Sequence, residues 1–375
     1  MAQDLPRVPL FSAEAAAFGL DLGQIAQAVI GSHRYVMGQR VQGFEAAFAR
    51  YVGTGHAVSV ANGTDALELA LRGLGLGAGH RVVTVANAGF YASTAIRLVG
   101  ATPIYVDVEP EALTLSPVAL AATLQAHPVD AVIVTQLYGR LADMDALLLL
   151  CERAGVPLIE DCAQAHGAEA HGRRAGAWGR VATFSFYPTK NLGALGDGGA
   201  LTTDDTALAD RLRGLRQYGW DRKYEVTRAG GRNSRLDELQ AAILEAKLPH
   251  LDAANAARRA IAARYNQAFA DLALGLPTPT GLEHVLHLYV VRSNRRAALQ
   301  AHLVAAGIDC DIHYPIADHL QPVLRDEACA PSLPVTEAAC EQVLSLPCFP
   351  GMRPEQIERV IAAVRRFHEG AACAS

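Results

Sequence analysis

From about residue 57 onward, short runs rich in Val and Ile alternate with stretches whose apolar positions recur at helical spacing. Val58–Ala61 precedes an amphipathic stretch from Thr64 to Leu74, Arg81–Ala86 precedes Phe90–Val99, and Thr102–Asp107 precedes Pro117–Ala126. Ala131–Gln136 precedes Met144–Ala154, and Val156–Ile159 leads straight into Asp161. Strands that read as unbroken apolar runs, separated by helices, are the mark of a mostly parallel sheet covered on both faces. Val181–Phe186 and Gly199–Thr203 complete the set, the latter expected to run antiparallel. Asp237 to about Leu272 reads as a long helical region broken at Pro249, because proline removes a helical hydrogen bond. Beyond it the pattern predicts a strand over Leu286–Val291, a helix near Arg296–Ala306 and a strand over Ile308–Ile312. Helices near Thr336–Leu344 and Glu355–Phe367 follow. The expected division is a large domain over residues 1–250, including the N-terminal segment, and a smaller α/β domain over 251–375.

The chain has 375 residues, of which 51% are hydrophobic and 19% charged, the balance of a globular protein with no disordered tract. A net charge of -5 without any Lys/Arg run argues against a nucleic-acid partner. The longest apolar run, Ala146–Cys151, is far too short to span a membrane. The N-terminus lacks the basic and apolar segments of a secretion signal. Seven cysteines, an odd number with no C-x-x-C pair, argue against a disulfide framework or zinc site and for a reducing cytoplasm. No histidine pair has metal-ligand spacing, so no metal is expected.

Candidate chemistry lies where ligands bind in open parallel sheets, beyond the carboxyl ends of the strands. Lys190 follows an apolar strand in the run Ser185-Phe186-Tyr187-Pro188-Thr189-Lys190-Asn191-Leu192-Gly193. Roughly 25–30 residues upstream, another strand ends at Glu160-Asp161, followed by Cys162-Ala163-Gln164-Ala165-His166-Gly167. A lysine and a strand-end carboxylate in this order suit pyridoxal phosphate. The lysine forms a Schiff base with the aldehyde, and the carboxylate keeps the pyridine nitrogen protonated so that the ring can accept electrons. A lone lysine is far more often a solvated surface residue; the two runs together change the balance. Asn62-Gly63-Thr64-Asp65, a turn from strand into helix, has the makeup of an anion cradle, with free N–H groups at a helix start and the Thr64 hydroxyl. By itself it reads more simply as an ordinary N-cap. Ser185 can reach the same anion if Tyr187-Pro188 turns tightly, and Gln164 is placed to meet the cofactor's 3-oxygen or its ring face. Cys162 reads better as a small buried residue than as a nucleophile. The Gly73–Gly79 stretch precedes a strand instead of following one and reads as a plain loop.

These stretches resemble the DegT/StrS-type sugar aminotransferase family, a branch of the fold-type I pyridoxal phosphate enzymes. The match is carried by Ser32–Gly38 with Phe44-Glu45, Ala61–Leu67, Tyr105–Val108, Leu137-Tyr138-Gly139, Glu160–Gly167 and the Lys190 run. Asn233–Gln240, Ile312-His313-Tyr314-Pro315 and Leu344–Pro347 extend it toward the C-terminus. The resemblance implies an α/β fold with a mostly parallel central sheet and a smaller C-terminal domain. It implies Lys190 as the Schiff-base lysine, Asp161 on the pyridine nitrogen and Gln164 against the 3-oxygen. Gly63, Thr64 and Ser185 would hold the phosphate, joined by Asn233 from the neighbouring subunit of a homodimer with shared active sites. Phe90 or Tyr91 would supply the aromatic face, since Asn87-Ala88-Gly89-Phe90-Tyr91 departs from the family's Pro-x-x-Thr-Phe pattern. Tyr35, His313 and Tyr314 are the candidates for substrate contact. A subset of the family carries histidine in place of the lysine and dehydrates; retention of Lys190 favours transamination. The implied reaction moves an amino group from an amino acid, glutamate being the expected donor, to the keto group of a nucleotide-linked deoxysugar. A keto cyclitol acceptor, or a regulatory relative without chemistry, is the alternative. A nicotinamide-dependent enzyme would need fingerprint glycines that the chain lacks.

Overall fold

The computed structural model describes residues 7–278, 281–325 and 331–372. Its centre is a sheet of seven strands: β1 (His56–Val60), β2 (Arg81–Val85), β3 (Thr102–Val106), β4 (Ala131–Thr135), β5 (Leu158–Asp161), β6 (Val181–Ser185) and β7 (Gly199–Thr203). They lie in the order β1-β7-β6-β5-β4-β2-β3. β7 runs antiparallel to both β1 and β6, and the other neighbours pair in parallel, as the apolar runs require. The mixed α/β architecture foreseen from the periodicity is the one observed. The strand expected over Val156–Ile159 is shifted to Leu158–Asp161, so Asp161 itself is the last paired residue, opposite Thr135 of β4.

The helices of the sheet region are α1 (Leu22–Gly31), α2 (Gln39–Val52), α3 (Gly63–Gly73), α4 (Tyr91–Leu98), α5 (Pro117–Ala126), α6 (Met144–Ala154) and α7 (Thr206–Leu215). The apolar faces on the two sides of the sheet form two separate cores. One gathers α3, α4 and α7 over Val58, Val82 and Ile133; the other holds Phe44, Phe48, Phe184 and Phe186 in edge-on and stacked contacts. Successive strand residues point to opposite faces, and these two sets of alternating positions feed the two cores. α1 and α2 were not foreseen. α2 owes its start to Glu238, whose buried carboxylate accepts from the N–H groups of Gly38 (2.8 Å), Arg40 (3.0 Å) and Val41 (2.9 Å). A cap supplied from 200 residues away has no local sequence signal.

α8 (Glu238–Lys247) and α9 (Leu251–Phe269) meet at a single turn around Pro249, where the break was expected. α9 then enters a third core with Tyr265, Phe269, Tyr289, Leu299 and Val360. Val8 joins this core too, bridging Ile308, so the first described residues pack on the C-terminal layer. Here the small sheet is only β8 (Tyr289–Arg292) against β9 (Val343–Leu346), flanked by α10 (Arg296–Ala305), α11 (Pro334–Gln342) and α12 (Pro354–Ala372). Two expectations are corrected. Val343 and Leu344 leave the helical pattern for β9, because β8 offers them backbone partners, and tertiary pairing overrides propensity. Ile308–Ile312 forms no strand; it makes only isolated bridges, Ile308 to Val8 and Asp311 to Ser345. Among the described residues, no helix is long and apolar enough to cross a membrane, and no cluster of His, Cys, Asp or Glu could hold a metal ion.

Candidate active site

A cavity of about 330 Å³ opens at the carboxyl ends of β1, β4, β5 and β6. It is lined by Asn62, Gly63 and Thr64, by Thr135 and Asp161, by Ser185 and Lys190, and by Tyr91 and Gln164. Asn62 and Lys190, 128 positions apart in the chain, are brought together because each follows a strand end.

The cradle is built on α3. Asn62 caps the helix by accepting from the Asp65 N–H at 2.8 Å, and its carbonyl accepts from Ala66 N–H. The N–H groups of Gly63 and Thr64 have no partner among the described residues. Gly63 is required here: a Cβ on it would lie 2.7 Å from Ser185 Cβ, so only glycine lets β6 bring Ser185 against the helix start. The turn that Ser185 needs is present, since Lys190 N–H donates to Tyr187 O at 2.9 Å. Gly193 closes the same loop, for a Cβ there would strike Pro188 O at 2.4 Å.

Asp161 is buried at the end of β5. It accepts from Ala163 N–H at 3.1 Å and from the Thr135 hydroxyl at 3.3 Å. Burial raises its pKa above the ordinary carboxylate value, while the Ala163 N–H, the Lys190 charge and Thr135 pull it back. Burial likewise brings the Lys190 amine down from 10.5 to about 8, with Asp161 opposing. Each group thus favours the charged form of the other against the burial that opposes it. Glu160 faces the opposite side of β5 and accepts from Gly176, Trp178 and Gly179 N–H groups at 3.0, 2.7 and 2.9 Å, locking the loop before β6. Cys162 is fully buried and its thiol pKa is pushed well up by burial, which suits a packing residue and not a nucleophile.

Gln164 is already engaged at both ends. Its Oε1 accepts from Tyr138 N–H at 2.6 Å, and its Nε2 donates to the Tyr314 hydroxyl at 3.1 Å. Tyr91 lines the cavity and meets Tyr314 edge-on at 6.0 Å between ring centroids. Phe90 does not line it; Phe90 is the residue before α4, held at φ 69°. His313 does not line the cavity: its Nδ1 pairs with Ser345 Oγ at 2.9 Å, and its carbonyl accepts from the Tyr138 hydroxyl. Tyr35 and Asn233 are exposed and line no part of the cavity. Thr135, which lines the cavity, and Tyr138, which holds Gln164 through its N–H, were not foreseen in these roles. Thr135 could have been, as the end of the strand beside β5; the contacts of Tyr138, whose hydroxyl donates to the His313 carbonyl, depend on a partner far along the chain.

The family model for the DegT/DnrJ/EryC1/StrS aminotransferase family matches residues 21–365. A dTDP-3-amino-3,4,6-trideoxy-alpha-D-glucose transaminase from Streptomyces venezuelae is 46% identical over 371 residues, covering 98% of this chain and 97% of the relative. The crystal structure of S. venezuelae DesV in complex with a ketimine intermediate superposes with a TM-score of 0.93 at 46% identity, covering 97% of this chain and 99% of that one. NtdA from Bacillus subtilis, solved with bound cofactor PMP, gives a TM-score of 0.91 at 27% identity over 98% of this chain and 86% of its own. With a family model spanning most of its length and a relative this similar end to end, the chain belongs to the DegT/DnrJ/EryC1/StrS aminotransferase family.

Proposed function

We propose that the chain is a pyridoxal phosphate-dependent transaminase that moves an amino group from an amino acid, glutamate first among candidates, to the keto group of a nucleotide-linked deoxysugar. The observation that carries this is the pairing in one cavity of a lysine amine brought down to about 8 with a buried strand-end carboxylate, beside the start of α3, whose first N–H groups have no partner among the described residues. The residues fit the cofactor. The partnerless N–H groups of Gly63 and Thr64, with the Thr64 and Ser185 hydroxyls, suit a phosphate at a helix N-terminus. Asp161 is buried and hydrogen-bonded, as a carboxylate must be to hold a proton on a ring nitrogen. Tyr91 offers an aromatic surface in the same cavity, and Gln164 keeps one amide hydrogen for the 3-oxygen. When bound, the cofactor supplies an electron sink for the carbon losing its proton.

The chain's own residues do the proton transfers. The Lys190 Nζ removes the proton from the amino acid's Cα. In the second half-reaction it delivers a proton to the former carbonyl carbon of the sugar, which then bears the amino group. An amine with a pKa near 8 serves both directions, because general acid–base catalysis is most effective when the group titrates near the working pH. Asp161 stays fixed and holds the charge, with the Thr135 hydroxyl donating to it.

A homodimer with shared sites accounts for the residues left outside the cavity. Tyr35, Val36 and Leu195 are exposed at 51%, 42% and 52%, and all contact residues 237–240, a few positions after Asn233. Val36 bridges Asp237, and Leu195 N–H donates to Gln240. An apolar border of this kind suits a partner surface, and Asn233 and Tyr35 would then reach the partner's cavity. The domain division at residues 250 and 251 goes with this reading, since α9 carries the chain into the C-terminal core through Ile261, Tyr265 and Phe269. A cytoplasmic setting rests on the cysteine pattern of the sequence.

The test is direct. The pyridoxamine-loaded enzyme is incubated with a panel of keto nucleotide-sugars, a dTDP-linked 3-keto-6-deoxysugar first, and amine formation is read by mass spectrometry. Half-transamination by glutamate with no product from any nucleotide-sugar, but product from a keto cyclitol, would shift the acceptor class.

A further inference from the structure

The two halves of the chain are joined by two aspartates, each capping a helix of the other half. α4 begins after Phe90, which has no side-chain cap to offer. Its cap is Asp318, 228 residues away in the C-terminal half: Phe90 N–H donates to Oδ1 at 2.9 Å, and the Ser93 hydroxyl donates to Oδ2 at 2.6 Å. Asp318's own N–H donates to Ala86 O at 2.7 Å, and the Tyr105 hydroxyl reaches Ser93 Oγ at 3.2 Å. In the reverse direction, α11 begins after Leu333 without a cap of its own. Asp107, just past β3, accepts from Val335 N–H at 3.0 Å and Thr336 N–H at 2.9 Å.

The two clasps differ in what they hold. No residue of α11 lines the cavity. α4, in contrast, starts with Tyr91, the aromatic wall, and the same segment that supplies Asp318 supplies Tyr314, packed edge-on against Tyr91. Gly89 makes room for that packing, since a Cβ there would come within 2.8 Å of the Tyr314 ring. Tyr91 is itself half exposed, so its ring position follows from where the helix start is pinned. We propose that Asp318 is a positioning residue: by capping α4 across the two halves, it fixes the Tyr91 ring against the cofactor. This rests on the pyridoxal phosphate reading above.

The experiment measures pyridoxal phosphate affinity by absorbance titration, and melting temperature without cofactor, for the full chain. The variants are Asp318→Ala, Asp318→Asn, Asp107→Ala, Tyr91→Leu and the double variant Asp318→Ala/Tyr91→Leu. Loss of a charged cap should weaken cofactor binding about tenfold in Asp318→Ala. Asp318→Asn should recover most of it, because the amide still accepts from Phe90 N–H and can donate to Ser93. Asp107→Ala should lower the melting temperature comparably while leaving cofactor affinity within about twofold. The double variant should bind no more weakly than Tyr91→Leu alone, as expected when one residue acts through the other. Wild-type affinity in Asp318→Ala, or additive losses in the double variant, overturns the assignment. If Asp318→Ala does not fold, Ser93→Ala takes its place, and unchanged affinity there overturns the assignment equally. A wild-type chain that binds no pyridoxal phosphate would instead remove the functional reading, and this inference with it.

Discussion

The Thr135 hydroxyl donates to Asp161 Oδ2 at 3.3 Å across adjacent parallel strands, residue opposite residue in register. This contact and the Ala163 N–H partly offset the burial that raises the Asp161 pKa. Asp161→Asn keeps the shape and loses the charge, and should lower transamination at least about a hundredfold, equivalent to some two pKa units of lost bias toward the protonated ring. Thr135→Val should cost about fivefold, the worth of one long hydrogen bond to a charged group. Steady-state rates with the best acceptor check both, and near-normal turnover by Asp161→Asn would remove Asp161 from the mechanism.

Lys190 sets a pH dependence that can be read without cofactor. Its amine titrates near 8 when folded and at its ordinary 10.5 when unfolded. Between those values the unfolded chain binds more protons, so stability rises with pH there, and below about 8 the cost of burying the ammonium is fully present. Lys190→Met should therefore make the cofactor-free protein more stable than wild type at neutral pH, by about 1–3 kcal/mol, with the gap closing above pH ~10. Urea unfolding at the two pH values tests this; a gap that does not change with pH contradicts the depressed pKa. With cofactor, borohydride should fix the label on the Lys190 peptide, and Lys190→Ala should lose turnover by about a hundredfold or more.

Complementation tests the shared site. Lys190→Ala and Asn233→Ala chains, each inactive, should regain activity when mixed, because one site in each heterodimer has both residues intact. The interface should bury more than about 2,000 Å² in total. Confirmed subunit exchange without recovered activity would leave Asn233 outside the partner's site.

The three candidates for substrate contact separate by their partners. Tyr314→Phe removes the hydroxyl that Gln164 donates to and should raise KM for the sugar or lower kcat while the fold persists. His313 holds Ser345 at 2.9 Å, so His313→Ala should act mainly on melting temperature. Tyr35→Ala should affect kinetics only in the dimer. Wild-type kinetics from all three would place the acceptor elsewhere in the cleft.

What the sequence determined by itself was the part encoded in short windows. Buried runs of Val and Ile set the parallel sheet, and Asp161, Lys190 and the Asn62–Asp65 turn were legible because each lies at the end of such a run, where the fold opens a ligand site. Tertiary structure decided everything that depends on a partner far along the chain. α2 starts where Glu238 can cap it, Val343–Leu346 is a strand because β8 lies beside it, and Ile308–Ile312 is not one because it meets only isolated bridges. The choice of Tyr91 over Phe90 for the cavity wall was open in the sequence, since adjacent aromatics share the same local pattern. It was closed by Asp318, which takes the Phe90 N–H and turns that residue into the start of α4. Periodicity reports which side of an element is buried; which side chain meets which is settled only when the elements pack.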